Sequence, residues 1–91
     1  MTIESLAAIV ESVTGADPLK EGRARPLVYS RVLLVQALRA QGWTQTRIAA
    51  AIGYARPTVQ HCCALFRDAE QYANNPELLK NWNKLKTILD L

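Results

Sequence analysis

Apolar residues return every three or four positions through most of the chain. Ile3, Leu6, Ala7, Ile9, Val10 and Val13 form the first such stripe, with Thr2 placed to cap it and Gly15 to stop it. A second stripe runs through Leu27, Val28, Val32, Leu34, Val35 and Leu38. With Pro26 suited to a first turn and Gly42 to a close, it predicts a central core helix from about Pro26 to Gln41. Thr44 can cap a short third helix that ends at Gly53, and Pro57 fits the first turn of a fourth that reaches about Tyr72. Asn74-Asn75-Pro76-Glu77 repeats the order of cap, proline and acid before a last helix with Leu78, Leu79, Trp82, Leu85, Ile88 and Leu89 inward. Strict alternation, internal repeats and low-complexity tracts are absent. The pattern predicts an all-α fold, one compact domain of about five helices over residues 1–91, with Ala16 to Arg25 as a connecting loop.

Composition fits that picture. An apolar share of 49% against 21% charged residues supports a packed core and argues against disorder. No apolar run approaches the ~20 residues of a membrane span, and Met1-Thr2-Ile3-Glu4 lacks the basic start of a signal peptide. A cytoplasmic protein without a membrane partner is expected. Cys62 and Cys63 are adjacent, so on a helix they point about 100° apart and do not readily pair, which suits a reducing compartment.

Charge changes the picture more. The net +3 is unevenly divided: residues 1–19 carry −3 and residues 68–91 carry −1. Between them Lys20, Arg23, Arg25, Arg31, Arg39, Arg47, Arg56 and Arg67 face Glu21 alone, for +7. Such a block attracts a polyanion, and arginine in seven of its eight cationic positions favours planar, bidentate contacts to phosphate and guanine.

Within the basic block, Ala49, Gly53 and Val59 stand where two short crossing helices need a small residue, a turn residue tolerant of positive φ and an apolar anchor. Ile48, Ile52 and Cys62 fall at inward positions of the same frame, which predicts a helix-turn-helix over about residues 44–66. Its second helix would enter the major groove of double-stranded DNA by its N-terminal end. There Ala55, Arg56, Thr58, Gln60 and His61 face away from Val59 and Cys62, and Arg56, Thr58, Gln60 and His61 are the candidate base contacts. Arg56 suits guanine O6 and N7, and Gln60 suits adenine N6 and N7. Thr44, Gln45, Thr46 and Arg47 at the start of the preceding helix, with Tyr54 in the turn and Arg23 and Arg25 in the loop, are the candidates for backbone or minor-groove contact.

The layout resembles the C-terminal DNA-binding domain of the bacterial replication initiator DnaA. The resemblance covers most of the chain: an opening helix, the loop with Arg23 and Arg25, a long helix, the helix-turn-helix, and a closing helix from Asn75-Pro76-Glu77-Leu78-Leu79 onward. Thr58-Val59-Gln60-His61-Cys62 is similar to the family's Thr-Val-Leu-His-Ala on the recognition helix. The resemblance implies that a loop arginine, Arg23 or Arg25, reaches the minor groove. Tyr54-Ala55-Arg56-Pro57 replaces the family's Arg-Asp-His-Thr, and the turn is one residue shorter. Fold and groove placement carry over, whereas sequence specificity does not. No Gly-x-x-x-x-Gly-Lys-Ser/Thr phosphate loop is present, so an ATP-driven role has no site here.

Other chemistries find little footing. One histidine beside two contiguous cysteines is not the set of four separated ligands that a structural zinc needs, so neither metal nor cofactor is expected. Trp43 and Trp82 end apolar stripes, as core residues do, rather than forming stacking platforms. No Ser-His-Asp or Cys-His spacing suggests catalysis, and a non-enzymatic role is expected. The competing function is a protein-interaction adaptor or small regulator whose basic surface takes an acidic protein partner. Oligomeric state, target sequence and the choice between transcriptional and replication control are left open by the sequence.

Overall fold

In the computed structural model, which describes residues 1–91, α1 spans Ile3–Thr14, α2 Arg25–Ala40, α3 Gln45–Ile52, α4 Arg56–Tyr72 and α5 Pro76–Leu89. The fold is all-α, without strands. Three starts are capped as the sequence predicts. Thr2 accepts from the Ser5 amide at 3.0 Å, Thr44 from that of Arg47 at 3.1 Å and Asn75 from that of Leu78 at 3.2 Å. Helices α2 and α4 follow Ala24 and Ala55, which offer no side-chain cap, and rely on Pro26 and Pro57 in their first turns.

All five helices contribute to one core, and α2 touches each of the other four. That position widens its buried surface beyond the predicted stripe. Leu33, Ala37 and Ser30 are fully buried beside Val32, Leu34, Val35 and Leu38, because a helix packed on several sides keeps no solvated face along its middle. The Ser30 hydroxyl is satisfied by Thr14 Oγ1 at 2.6 Å, which joins α2 to the end of α1. Leu27 and Val28, in the first turn of α2, are only half-buried.

On α5 the covered row is Leu78, Trp82 and Leu85, with Leu79 and Leu89 half-buried. Ile88, expected inward, is 56% exposed instead. It lies about 100° around the helix from Leu89, on the rim of a notch with Val13 and Lys84. Trp82 is a core residue, as its stripe suggested: its ring meets Phe66 edge-on, centroids 5.4 Å apart, and fastens α5 to α4.

Candidate nucleic-acid interface

The basic block comes to its best-defined geometry at α3, α4 and the three residues between them. Helix α3 ends in Gly53, whose φ of 83° is left-handed and whose N–H bonds to the Ala49 carbonyl at 3.0 Å. The chain then turns through Tyr54 and Ala55 into α4. Ile48, Ala49, Val59 and Cys62 are buried beneath this turn, with Ile52 half-buried at its edge. The spacing that picked out Ala49, Gly53 and Val59 therefore describes a real packing unit.

Ala55, Arg56, Thr58, Gln60 and His61 are all exposed. They do not share one face. At about 100° per residue, Arg56 and Gln60 lie within ~40° of one another. Thr58 falls on the opposite flank, ~160° from Arg56, with His61 between. Thr58 accordingly lines a pocket against the loop, and Arg56 and Gln60 are left as the pair on the free flank.

Of the candidates on α3, Thr46 and Arg47 are exposed, Gln45 is half-buried and Thr44 spends its oxygen as the cap acceptor. The Arg47 guanidinium stacks 3.8 Å above the half-buried Trp43 ring, and Arg39 donates to the Trp43 carbonyl at 3.0 Å. Both arginines are thereby held close to the start of α3.

Tyr54 is not presented to solvent as a free contact residue. It is half-buried, and its hydroxyl donates to the Pro18 carbonyl. Burial pushes its pKa above the usual range, with Arg31 nearby pulling the other way, so at neutral pH it is a protonated donor. Arg31 donates in turn to the Lys20 carbonyl. These two contacts tie the loop to α2 and to the α3–α4 turn.

The tether separates the two loop arginines. Arg23 lines the pocket with Lys20, Arg31, Tyr54 and Thr58, beside the start of α4. Arg25, the first residue of α2, lines a different notch with Glu77 and Asn81 of α5. Lys20 and Arg31 were not singled out by the sequence. Arg31 carried a signal all the same: a charge set between Val28 and Val32 on a core helix must have a partner or a purpose.

The electrostatics extend to the helix ends. Helices α1 and α5 carry Glu4 and Glu77 in their first turns, whereas α2, α3 and α4 have no acid there, which leaves their positive ends uncompensated. Along α4, Arg56 stands alone at the start, and Arg67 sits beside Asp68 and Glu70 toward the end.

The cysteines are packing groups. Burial, reinforced by the neighbouring Cys63 and opposed by Arg31, pushes the Cys62 thiol up to about 11. Burial likewise raises Cys63, against Arg39 and Arg67. Both thiols are free, and no three His, Cys, Asp or Glu side chains gather as a metal cluster. No helix is long and apolar enough to cross a membrane. No family model, curated protein or solved structure gives a significant match to the chain.

Proposed function

We propose that this protein binds double-stranded DNA, with α3 and α4 as a helix-turn-helix and α4 as the helix that reads the major groove. The observation that carries the reading is the exposed pair Arg56 and Gln60 on one flank of α4, within its first two turns, on a helix anchored in the core through Val59 and Cys62. A helix entered by its N-terminus brings such a pair to neighbouring base pairs, each good bidentate contact being worth about 1–3 kcal/mol of discrimination. Thr46, Arg47 and the Thr44 hydroxyl at the start of α3 supply phosphate contacts that fix register. Arg23 does the same from the loop, or enters the adjacent minor groove as the DnaA resemblance implies. In this reading the domain acts in transcriptional or replication control.

Retention on random-sequence duplex tests it. Binding should weaken linearly in log–log form as salt rises, with a slope near −0.9 for each phosphate neutralised. A protein that passes through such a column at low salt, and binds an acidic polypeptide instead, is the adaptor and not a DNA reader.

A further inference from the structure

Between the loop and α4 lies an open pocket of about 360 Å³. We infer that it is a seat for a phosphate group, with Lys20, Arg23, Arg31 and Thr58 as the ligands. The inference deepens the DNA reading, on which it rests for the nearest source of that phosphate, the duplex backbone; a free phosphate or pyrophosphate is the other source of the same chemistry.

Three observations support it. The first is the donor set. Lys20 and Arg23 from the loop, Arg31 from α2 and the Thr58 hydroxyl from α4 line one concavity, and Glu21 is its only acid. Folding has gathered three like charges from two separate segments of chain. Much of the exposed wall is the aliphatic part of these side chains, whose long stems let the charged heads turn onto an oxyanion, and the planar arginine fork suits phosphate in particular.

The second observation is that the walls are already held. Arg31 is fixed by the Lys20 carbonyl, a bond that uses one of the five N–H donors of its guanidinium. Tyr54, at the back of the pocket, is fixed on Pro18. The loop is bent through Gly22 at φ 136°, where an added Cβ would meet Leu27 Cδ1 at 3.0 Å. The loop backbone and Arg31 are thus in place before a ligand arrives, and only the exposed Lys20 and Arg23 side chains remain to be ordered.

The third is register. Thr58 lies ~160° around α4 from Arg56. Thr58 also lies closer than Gln60 or His61 to the buried side of α4 marked by Val59 and Cys62, so with that helix in a groove it faces a wall, where a phosphate strand runs, and not the floor. Thr58 is thereby assigned to the backbone, not to a base.

The experiment follows backbone amides of the ¹⁵N-labelled protein by NMR at constant ionic strength, with two probes: inorganic pyrophosphate and a short random-sequence duplex. Lys20→Gln and Thr58→Val are the variants, both at exposed side chains that make no tether. The expected result is a saturable shift, confined to residues 20–23, Arg31 and Thr58, with either probe. Each variant should weaken it about threefold to tenfold. Shifts there with duplex alone assign the backbone as the source. Shifts with pyrophosphate alone, and no duplex binding, keep the phosphate seat while the DNA reading fails. Duplex shifts confined to Arg56, Gln60 and α3 keep the DNA reading and overturn the seat. Shifts spread evenly over basic residues, pocket shifts that both variants leave unchanged, or no shift with either probe, also overturn it.

Discussion

Gly53, the Thr14–Ser30 pair and Cys62 show how local chemistry sets what a single substitution costs. Gly53 has open space where a Cβ would sit, so any cost of substitution there comes from its φ of 83° and not from collision. Gly53→Ala is expected to lose about 1–2 kcal/mol and Gly53→Val up to about 3, with Gly53→Asn retaining more stability than either in thermal melts. A Gly53→Val protein with an unchanged melting temperature would contradict the turn geometry. The fully buried Ser30 hydroxyl shares a bond of 2.6 Å with the part-buried Thr14 Oγ1, which also meets the Val10 and Ala16 carbonyls and the Ala16 N–H. Thr14→Val should cost about 1–3 kcal/mol because it orphans Ser30, and the double variant with Ser30→Ala should cost less than the single one. Cys62 brings a pH dependence. Its thiol titrates near 11 in the fold against 9.0 when unperturbed, so between those values the unfolded chain loses its proton first. Stability therefore falls as pH rises from about 9 to about 11, by on the order of 2 kcal/mol, and is unaffected by this group below that window. Denaturant melts of the protein and Cys62→Ala over that range should differ by a gap that narrows with pH. A constant gap would show that the thiol is not desolvated.

At the scale of elements, helix ends and tethers matter more than helix interiors. Helix α4 stops at Ala73, which is held at φ 49° without the freedom of glycine. Ala73→Gly relieves that strain and should raise stability by about 0.5–1 kcal/mol, read as a higher melting temperature. The loop between α1 and α2 depends on Tyr54 and Arg31. Tyr54→Phe should leave the helices intact by circular dichroism while amides of residues 19–23 exchange faster with deuterium. Unchanged exchange would mean that the hydroxyl does not hold the loop. The helices themselves were legible in the sequence because their signals are local: Thr2, Thr44 and Asn75 as caps, Pro26 and Pro57 in first turns, and stripes at helical period. What escaped was set by neighbours distant in sequence. Leu33, Ala37 and Ser30 are buried because other helices surround α2, and Ile88 is exposed because α5 is covered along one row only. The separate placing of Arg23 and Arg25, and the seating of the loop against Thr58, likewise go with the Tyr54 and Arg31 tethers, which join residues 36 and 11 positions apart. No periodicity encodes such contacts.

The whole molecule is about 30 Å in its longest dimension. That is close to one turn of B-form DNA, ~34 Å, so a single copy can address about one turn. Acidic and basic segments are separated along the chain, with Glu4 and Glu11 exposed on α1 and Arg23, Arg47 and Arg56 exposed around the loop and the α3–α4 unit. In the proposed reading such a field draws duplex of any sequence, whereas reading a sequence requires particular side chains at base edges. The most direct test separates the two. A target is first selected from random duplexes at stated salt; Arg56→Ala, Gln60→Ala and Arg39→Ala are then compared on that target and on random DNA. Arg39 is the control for charge: the Trp43 carbonyl holds its guanidinium near the start of α3, where it meets backbone at most and no base edge. Arg56→Ala and Gln60→Ala should each weaken the selected complex by about 1–3 kcal/mol while sparing random duplex far more, and Arg39→Ala should not distinguish the two DNAs. If Arg56→Ala and Gln60→Ala lost affinity equally for both DNAs, α4 would be a phosphate clamp and the assignment of base contacts would be wrong.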